Sequence, residues 1–192
     1  SGTTSAITIS GALSVDGGTI KLDGNYPTGT SNVALGNEAL DSGSLSGSHN
    51  VAVGTSALTN NTSGIQNIAV GFEALGDNTT GCFNTGVGHG VLSLNTTTKC
   101  NTAIGYASLN NNVGTNNTAL GTSSLQANTS GGNNTAVGKS ALLTNSTGEC
   151  NVAIGRTSME LNTTGSCNVA VGKDTLSNNT TAVYNTAVGF QT

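Results

Sequence analysis

From Asn32 to the C-terminal end, apolar and polar positions recur with a period of 17 residues. Counted from an Asn at position 0, units begin at Asn32, Asn50, Asn67, Asn84, Asn101, Asn117, Asn134, Asn151, Asn168 and Asn185, with one interval of 18 and one of 16. Position 1 is Val, Ile or Thr, position 2 is Ala except at Gly86, and position 3 is Val, Ile or Leu. Position 4 is Gly in all ten units, among them Gly54, Gly71, Gly88, Gly105, Gly138, Gly155 and Gly172. Position 8 is Leu in every complete unit but that of Met159, and position 11 is Asn from Asn61 through Asn179.

β-Branched residues at positions 1 and 3 lie on one side of a strand, because side chains alternate with period two, and they favour extended backbone. The pattern therefore predicts that positions 1 and 3 fill a core and that the Gly at position 4 turns the chain with φ > 0. A second short extended piece then carries the Leu at position 8 inward, and the Asn-Thr-Thr-Gly stretch after it has turn chemistry. Two short strands and two turns make one coil of a β-solenoid. A helical repeat is excluded, since helix pairs need units of about 33 residues or more and the Gly and Asn density depresses helix formation.

One such coil cannot bury its own apolar residues; stacking does. At about 4.8 Å per coil, ten coils make a rod of about 45 Å. The expected fold is all-β, a parallel β-solenoid or β-roll of about ten 17-residue coils over residues 32–192. Each position becomes a ladder along the rod. Asn50, Asn67, Asn84, Asn101, Asn134, Asn151 and Asn168 are expected as inward structural ladders whose amides bond along the stack, which offsets their burial. Residues 1–31 lie outside the repeat. "ITIS" at Ile7–Ser10 and "LSVDGGTIKLDG" at Leu13–Gly24 alternate around Asp16-Gly17-Gly18, predicting short strands and a hairpin. That segment is read as a β cap or connector for the open solenoid edge.

Composition narrows the function. Charged residues make up 7% of the chain and aromatics 3%, with 28 Gly and no Trp, against about 25% charged residues in ordinary domains. Disorder normally accompanies high net charge, and this chain carries −4. Five basic residues in all argue against a nucleic-acid partner, which requires clustered cations. No apolar run is long enough for a membrane span. The chain begins at Ser1 without Met and ends eight residues into a unit, so a fragment of a longer polypeptide is expected.

No catalytic constellation stands out, and neither a metal nor a cofactor is expected. His49 precedes a repeat Asn in an expected turn, and His89 occupies a variable position. A phosphate loop needs a second Gly, a Gly-Lys-Ser/Thr ending and a following helix, which "NVAIGRTS" lacks. A calcium-binding solenoid needs a regular Asp, and the repeat has none. Asn-x-Ser/Thr triplets, as at Asn78, Asn95 and Asn162, follow from the Asn-Thr-Thr corner.

The variable ladder at position 5 is the best candidate surface. Phe72, His89 and Tyr106 would form an aromatic strip suited to a carbohydrate face. Lys139, Arg156 and Lys173 would form a basic strip suited to anionic sugars or phosphates, unless Glu149, Glu160 or Asp174 offsets them. Cys150 and Cys167 occupy equivalent places on successive coils, and Cys82 and Cys100 lie one coil apart with an offset of one residue. Coil spacing permits a disulfide in each pair; free thiols in a reducing compartment are the alternative.

The phrases "NTAVG" at Asn134–Gly138 and "NVAIG" at Asn151–Gly155 resemble the repeat of trimeric autotransporter adhesin heads, which are left-handed parallel β-rolls. The longer unit, N-T-A-x-G-x-x-A-L-x-x-N-T-T-G, is similar to repeats in tail fibres and other structural proteins of bacteriophages. The resemblance covers about 160 of the 192 residues. It implies a homotrimeric rod serving as spacer and receptor-binding surface on a virion or an extracellular surface. Partners would be other fibre or baseplate proteins and a cell-surface glycan. With positions 1 and 3 inward, the Ala row at position 2, from Ala34 to Ala187, faces outward as a narrow stripe for close approach of another chain. The first expected function is a phage fibre or spike segment for host attachment. The alternative is a bacterial adhesin or self-assembling filament. Ice binding through Thr ladders is a minor third reading, weakened because the Thr at position 1 are expected inward. An enzyme is not expected.

Overall fold

The structure, a computed structural model, describes residues 30–192. Apart from its last two residues, the expected N-terminal cap or connector lies outside the described residues. Ten three-residue strands run in chain order: β1 (Val33–Leu35), β2 (Val51–Val53), β3 (Ile68–Val70), β4 (Thr85–Val87), β5 (Thr102–Ile104), β6 (Thr118–Leu120), β7 (Thr135–Val137), β8 (Val152–Ile154), β9 (Val169–Val171) and β10 (Thr186–Val188). They form one sheet in the same order, β1 to β10, and every neighbouring pair is parallel. Register is in phase throughout, so Thr85, Thr102, Thr118 and Thr135 are direct neighbours in one row. No helix occurs among the described residues. This is the parallel β-solenoid that the period predicts.

Two expectations about the coil are corrected. Each coil contains one strand, not two. The segment carrying position 8 is not extended, because positions 6 and 8 are left-handed, with φ between 47° at Leu176 and 60° at Gly90. For an L residue that conformation is unfavourable by roughly 1–2 kcal/mol. Here it wraps the chain tightly around the inward Leu while keeping backbone bonds along the stack. The Ser140 N–H donates to the Thr122 carbonyl at 2.9 Å and the Leu142 N–H to the Ser158 carbonyl at 3.0 Å.

The second correction reverses the sheet faces. Ala69 and Ala103 are fully buried, whereas Ile68 and Ile104 are 41% and 44% exposed. The Ala row at position 2 faces the core, and positions 1 and 3 face out. The lumen dictates this choice. Fully buried Leu at position 8 already spans it, as at Leu75, Leu109 and Leu142, leaving room for no more than a methyl group opposite. The buried Ala row therefore offers no stripe to another chain.

One coil shows how tight this fit is. Where position 2 is Gly86, position 7 changes from its usual Ala to Val91, and a Cβ on Gly86 would lie 2.9 Å from Val91 Cγ2. Other coils put Ser at position 7, and the hydroxyl is satisfied inside: Ser108 Oγ donates to the Ala119 carbonyl at 3.1 Å and lies 2.9 Å from Ser124 Oγ. Gly86→Ala alone is expected to destabilise by about 1–3 kcal/mol through overpacking, and Val91→Ala alone by about 2 kcal/mol through lost burial. Together they recreate the Ala–Ala pair of Ala69 and Ala74. In denaturant unfolding the double variant should fall short of the summed losses by about 1–2 kcal/mol.

Candidate functional site

The core side chains fix where the surface ladders stand. Asn67 donates its backbone N–H to Asn50 Oδ1 at 2.9 Å, and its amide donates to the Gly81 carbonyl at 2.8 Å and to Asn50 Oδ1 at 3.2 Å. Asn84, Asn101, Asn134, Asn151 and Asn168 likewise donate their N–H to the Asn one coil before. A second amide row runs through position 11: Asn78 Nδ2 donates to Asn61 Oδ1 at 2.9 Å and to the Gly81 carbonyl at 3.1 Å. These two buried rows hold successive coils at one spacing and one register. The Gly at position 4, with φ from 128° to 142°, then turns every coil alike. Side chains at position 5 consequently emerge in a straight row.

In that row Phe72, His89 and Tyr106 are brought together. Ring centroids lie 5.1 Å apart for Phe72–His89 and 5.3 Å for His89–Tyr106, each pair 27° from coplanar. The rings therefore spend their faces on one another. A sugar can meet only their edges and the two outer faces, so the strip is a weaker carbohydrate platform than the sequence implies.

Lys139, Arg156 and Lys173 follow along the row, all exposed. Of the expected counter-charges, only Asp174 engages: its carboxylate lies 3.1 Å from Lys173 Nζ. Neither Lys139 nor Arg156 forms an ion pair among the described residues. Lys173 also lies over the Phe190 ring, 4.9 Å from its centroid. The Thr157 hydroxyl donates to Asp174. That bond, then the Lys173 ammonium, with a smaller contribution from Arg156, holds the Asp174 carboxyl below its ordinary value. Asp174 is a member of the site that the repeat does not single out. Its position-6 slot holds Glu, Ser, Gly, Ala, Thr or Gln elsewhere, and adjacency to Lys173 is its one sequence signal.

The reversed sheet exposes a surface missed in the sequence. Rows 1 and 3 together present twenty side chains over ten strands, all Val, Ile, Leu or Thr. The cysteines are all free thiols; Cys100, Cys150 and Cys167 are exposed. Cys150 and Cys167 occupy matching left-handed positions on adjacent coils, with φ 56° and 57°. The Cys100 N–H donates to the Cys82 carbonyl at 3.1 Å. His49 is also left-handed, at φ 62°, and its N–H donates to the Thr30 carbonyl at 3.0 Å. Among the described residues no group of His, Cys, Asp and Glu could hold a metal ion, and no helix is long and apolar enough to cross a membrane.

Comparison with protein-family models, curated proteins and solved structures finds no match.

Proposed function

We propose that the chain is a structural fibre segment of a phage virion, a tail-fibre or spike rod that projects from the particle and contributes to host-surface attachment. The observation that supports this most is the unbroken in-phase stack from β1 to β10, which serves as a rigid spacer and displays outward ladders. The likeness of "NTAVG" and "NVAIG" to fibre repeats points the same way. Gold-labelled antibody against the chain should decorate virions in electron micrographs of the native source. Label confined to cell-surface filaments would transfer the rod to the adhesin reading.

The rod acts as a homotrimer in this proposal, joined through rows 1 and 3 of the sheet. Those rows carry no charge, and identical copies repeat the same spacing, so contacts made by one coil are made by all. Contiguous apolar surface of this kind marks association sites. Sedimentation equilibrium should give a trimer for the wild type and a monomer for Val152→Lys/Val169→Lys, whose ammonium groups would be desolvated in the interface. A monomeric wild type would overturn this.

One observation favours ice binding as a second reading. Thr85, Thr102, Thr118 and Thr135 face out, beside Val87, Ile104, Leu120 and Val137, in an in-register array. The objection that position 1 faces inward therefore falls. Thermal hysteresis in wild type, lost in Thr102→Lys/Thr118→Lys, would establish that reading.

A further inference from the structure

We propose that Lys139, Arg156 and Lys173 form a site for a linear anionic polysaccharide, carrying sulfate or phosphate esters, that lies along the rod axis. The proposal rests on the reading of the position-5 ladder as an outward ligand face and is independent of where the rod is mounted.

The first argument is concentration of charge. The chain has five basic residues and a net charge of −4, yet three of the five stand on successive coils at one repeat position. At a coil spacing of about 4.8 Å, like charges this close repel. A polyanion relieves that repulsion and releases the small mobile anions held along the row. The second argument is incomplete neutralisation. Asp174 pairs with Lys173 at 3.1 Å, but Lys139 and Arg156 form no ion pair among the described residues. Glu149 and Glu160 lie at other repeat positions.

The third argument is shape. Gly138, Gly155 and Gly172 run immediately beside the row and carry no side chain, so an extended polymer can lie against the backbone. The cations themselves form a straight line, which fits a ligand with one anionic group every sugar or two along its length. A compact anion could bridge neighbouring rungs but would not use the length of the row.

A sugar polymer fits better than a single nucleic-acid strand. Strands bind through bases stacked on aromatic faces interleaved with cations. Here Phe72, His89 and Tyr106 stack on each other and are separated from the cations by Thr122, while Phe190, the one aromatic beside the cations, has its ring against the Lys173 ammonium.

Asp174 is then an internal competitor. It occupies one ammonium that the polymer would otherwise neutralise, and the Thr157 hydroxyl fixes its carboxylate beside the row. Its removal should strengthen binding.

The test uses the full chain and immobilised dextran sulfate, with phosphomannan as the phosphate arm, neutral dextran as blank and an oligothymidylate as the nucleic-acid arm. Wild type should bind one or both anionic polysaccharides, more weakly as salt rises, and the stronger arm names the ester. Lys139→Ala/Arg156→Ala/Lys173→Ala should lose at least about tenfold in affinity, equivalent to about 1.4 kcal/mol. Lys99→Ala, a basic residue outside the row, should change affinity by less than about twofold, and Asp174→Asn should tighten it by about two- to threefold. Lys139→Arg/Lys173→Arg should bind as wild type does. The proposal fails if the triple variant, its melting curve unchanged, binds dextran sulfate and phosphomannan as wild type does. It fails equally if Lys99→Ala matches the triple loss, or if oligothymidylate binds as tightly with the same sensitivity. Failure of the wild type to bind either anionic polysaccharide, with virion labelling intact, would sink this site and leave the fibre reading standing.

Discussion

Asn151→Leu is expected to destabilise the rod by about 2–4 kcal/mol, although Leu is of similar size and more apolar. Asn151 is fully buried. Its Oδ1 accepts the Asn168 N–H at 3.0 Å and the Asn168 amide at 3.2 Å, while its own amide donates to the Gly165 carbonyl at 2.8 Å. Leu removes all three bonds. The Gly165 carbonyl keeps the Asn162 amide at 2.9 Å, and the Asn168 amide keeps the Ala182 carbonyl at 2.9 Å. The Asn168 N–H is left with nothing, buried between two coils. An orphaned buried donor forfeits about 1–3 kcal/mol, and loss of the two shared bonds accounts for the remainder.

Asn151→Asp separates hydrogen bonding from packing. The carboxylate still accepts from Asn168 but cannot donate to Gly165, and it has no cation beside it. Burial would raise its folded-state pKa above the unfolded value, so the variant is weakest at neutral pH. It should regain stability as pH falls through that raised pKa, where the protonated acid donates again. Thermal unfolding followed by circular dichroism across pH reads both effects. A melting temperature for Asn151→Leu equal to wild type would show that the Asn ladder does not support the coil.

This buried row also explains which parts of the fold were legible in the sequence. The 17-residue period, the inward Leu at position 8 and the alignment of position-5 residues all follow from like stacking on like. The direction of the sheet was legible too, though not from β-branching. With Asn inward at position 0, period two forces position 2 inward and positions 1 and 3 outward. Side-chain size agrees: position 2 admits only Ala or Gly, the restriction expected of a filled interior. Position 1 accepts Thr and Val interchangeably, as a half-exposed row does. β-Branching reports a preference for extended backbone, not for burial.

The turns at positions 6 and 8 were not legible. Left-handed backbone is occupied there mostly by Glu, Ser, Thr and Leu, residues with no preference for it, and Gly90 and Asp174 are the position-6 residues that hint at it. Coil-to-coil hydrogen bonds impose that conformation, and such bonds exist only once the stack has formed. Within the candidate site, the alignment of the three cations could be counted from the repeat. The mutual stacking of Phe72, His89 and Tyr106 could not, because it depends on rotamers as well as register.

The glycine corners give the second large expected effect, and two of them separate conformation from space. Gly105 has φ 129°, and a Cβ there would lie 2.7 Å from both the carbonyl carbon and oxygen of Gly121 on the next coil. Gly90 has φ 60°, and the nearest atom to an added Cβ is the Asn110 amide nitrogen at 3.7 Å. Equivalent positions in other coils already hold Ala107 and Ser123 at φ 52° and 56°. Gly90→Ala should therefore change stability by no more than about 1–2 kcal/mol. Gly105→Ala combines a Gly-only backbone region with contact against backbone that cannot move without opening the stack. It is expected to lose about 4 kcal/mol or more. Because each coil touches only its neighbours, the damage should stay local. Amide exchange should quicken in the coils around Gly105 and Gly121, and unfolding should separate into two transitions, one on each side. Equal losses for the two substitutions would mean that left-handed strain alone, and not the close approach of successive Gly corners, makes glycine necessary at position 4.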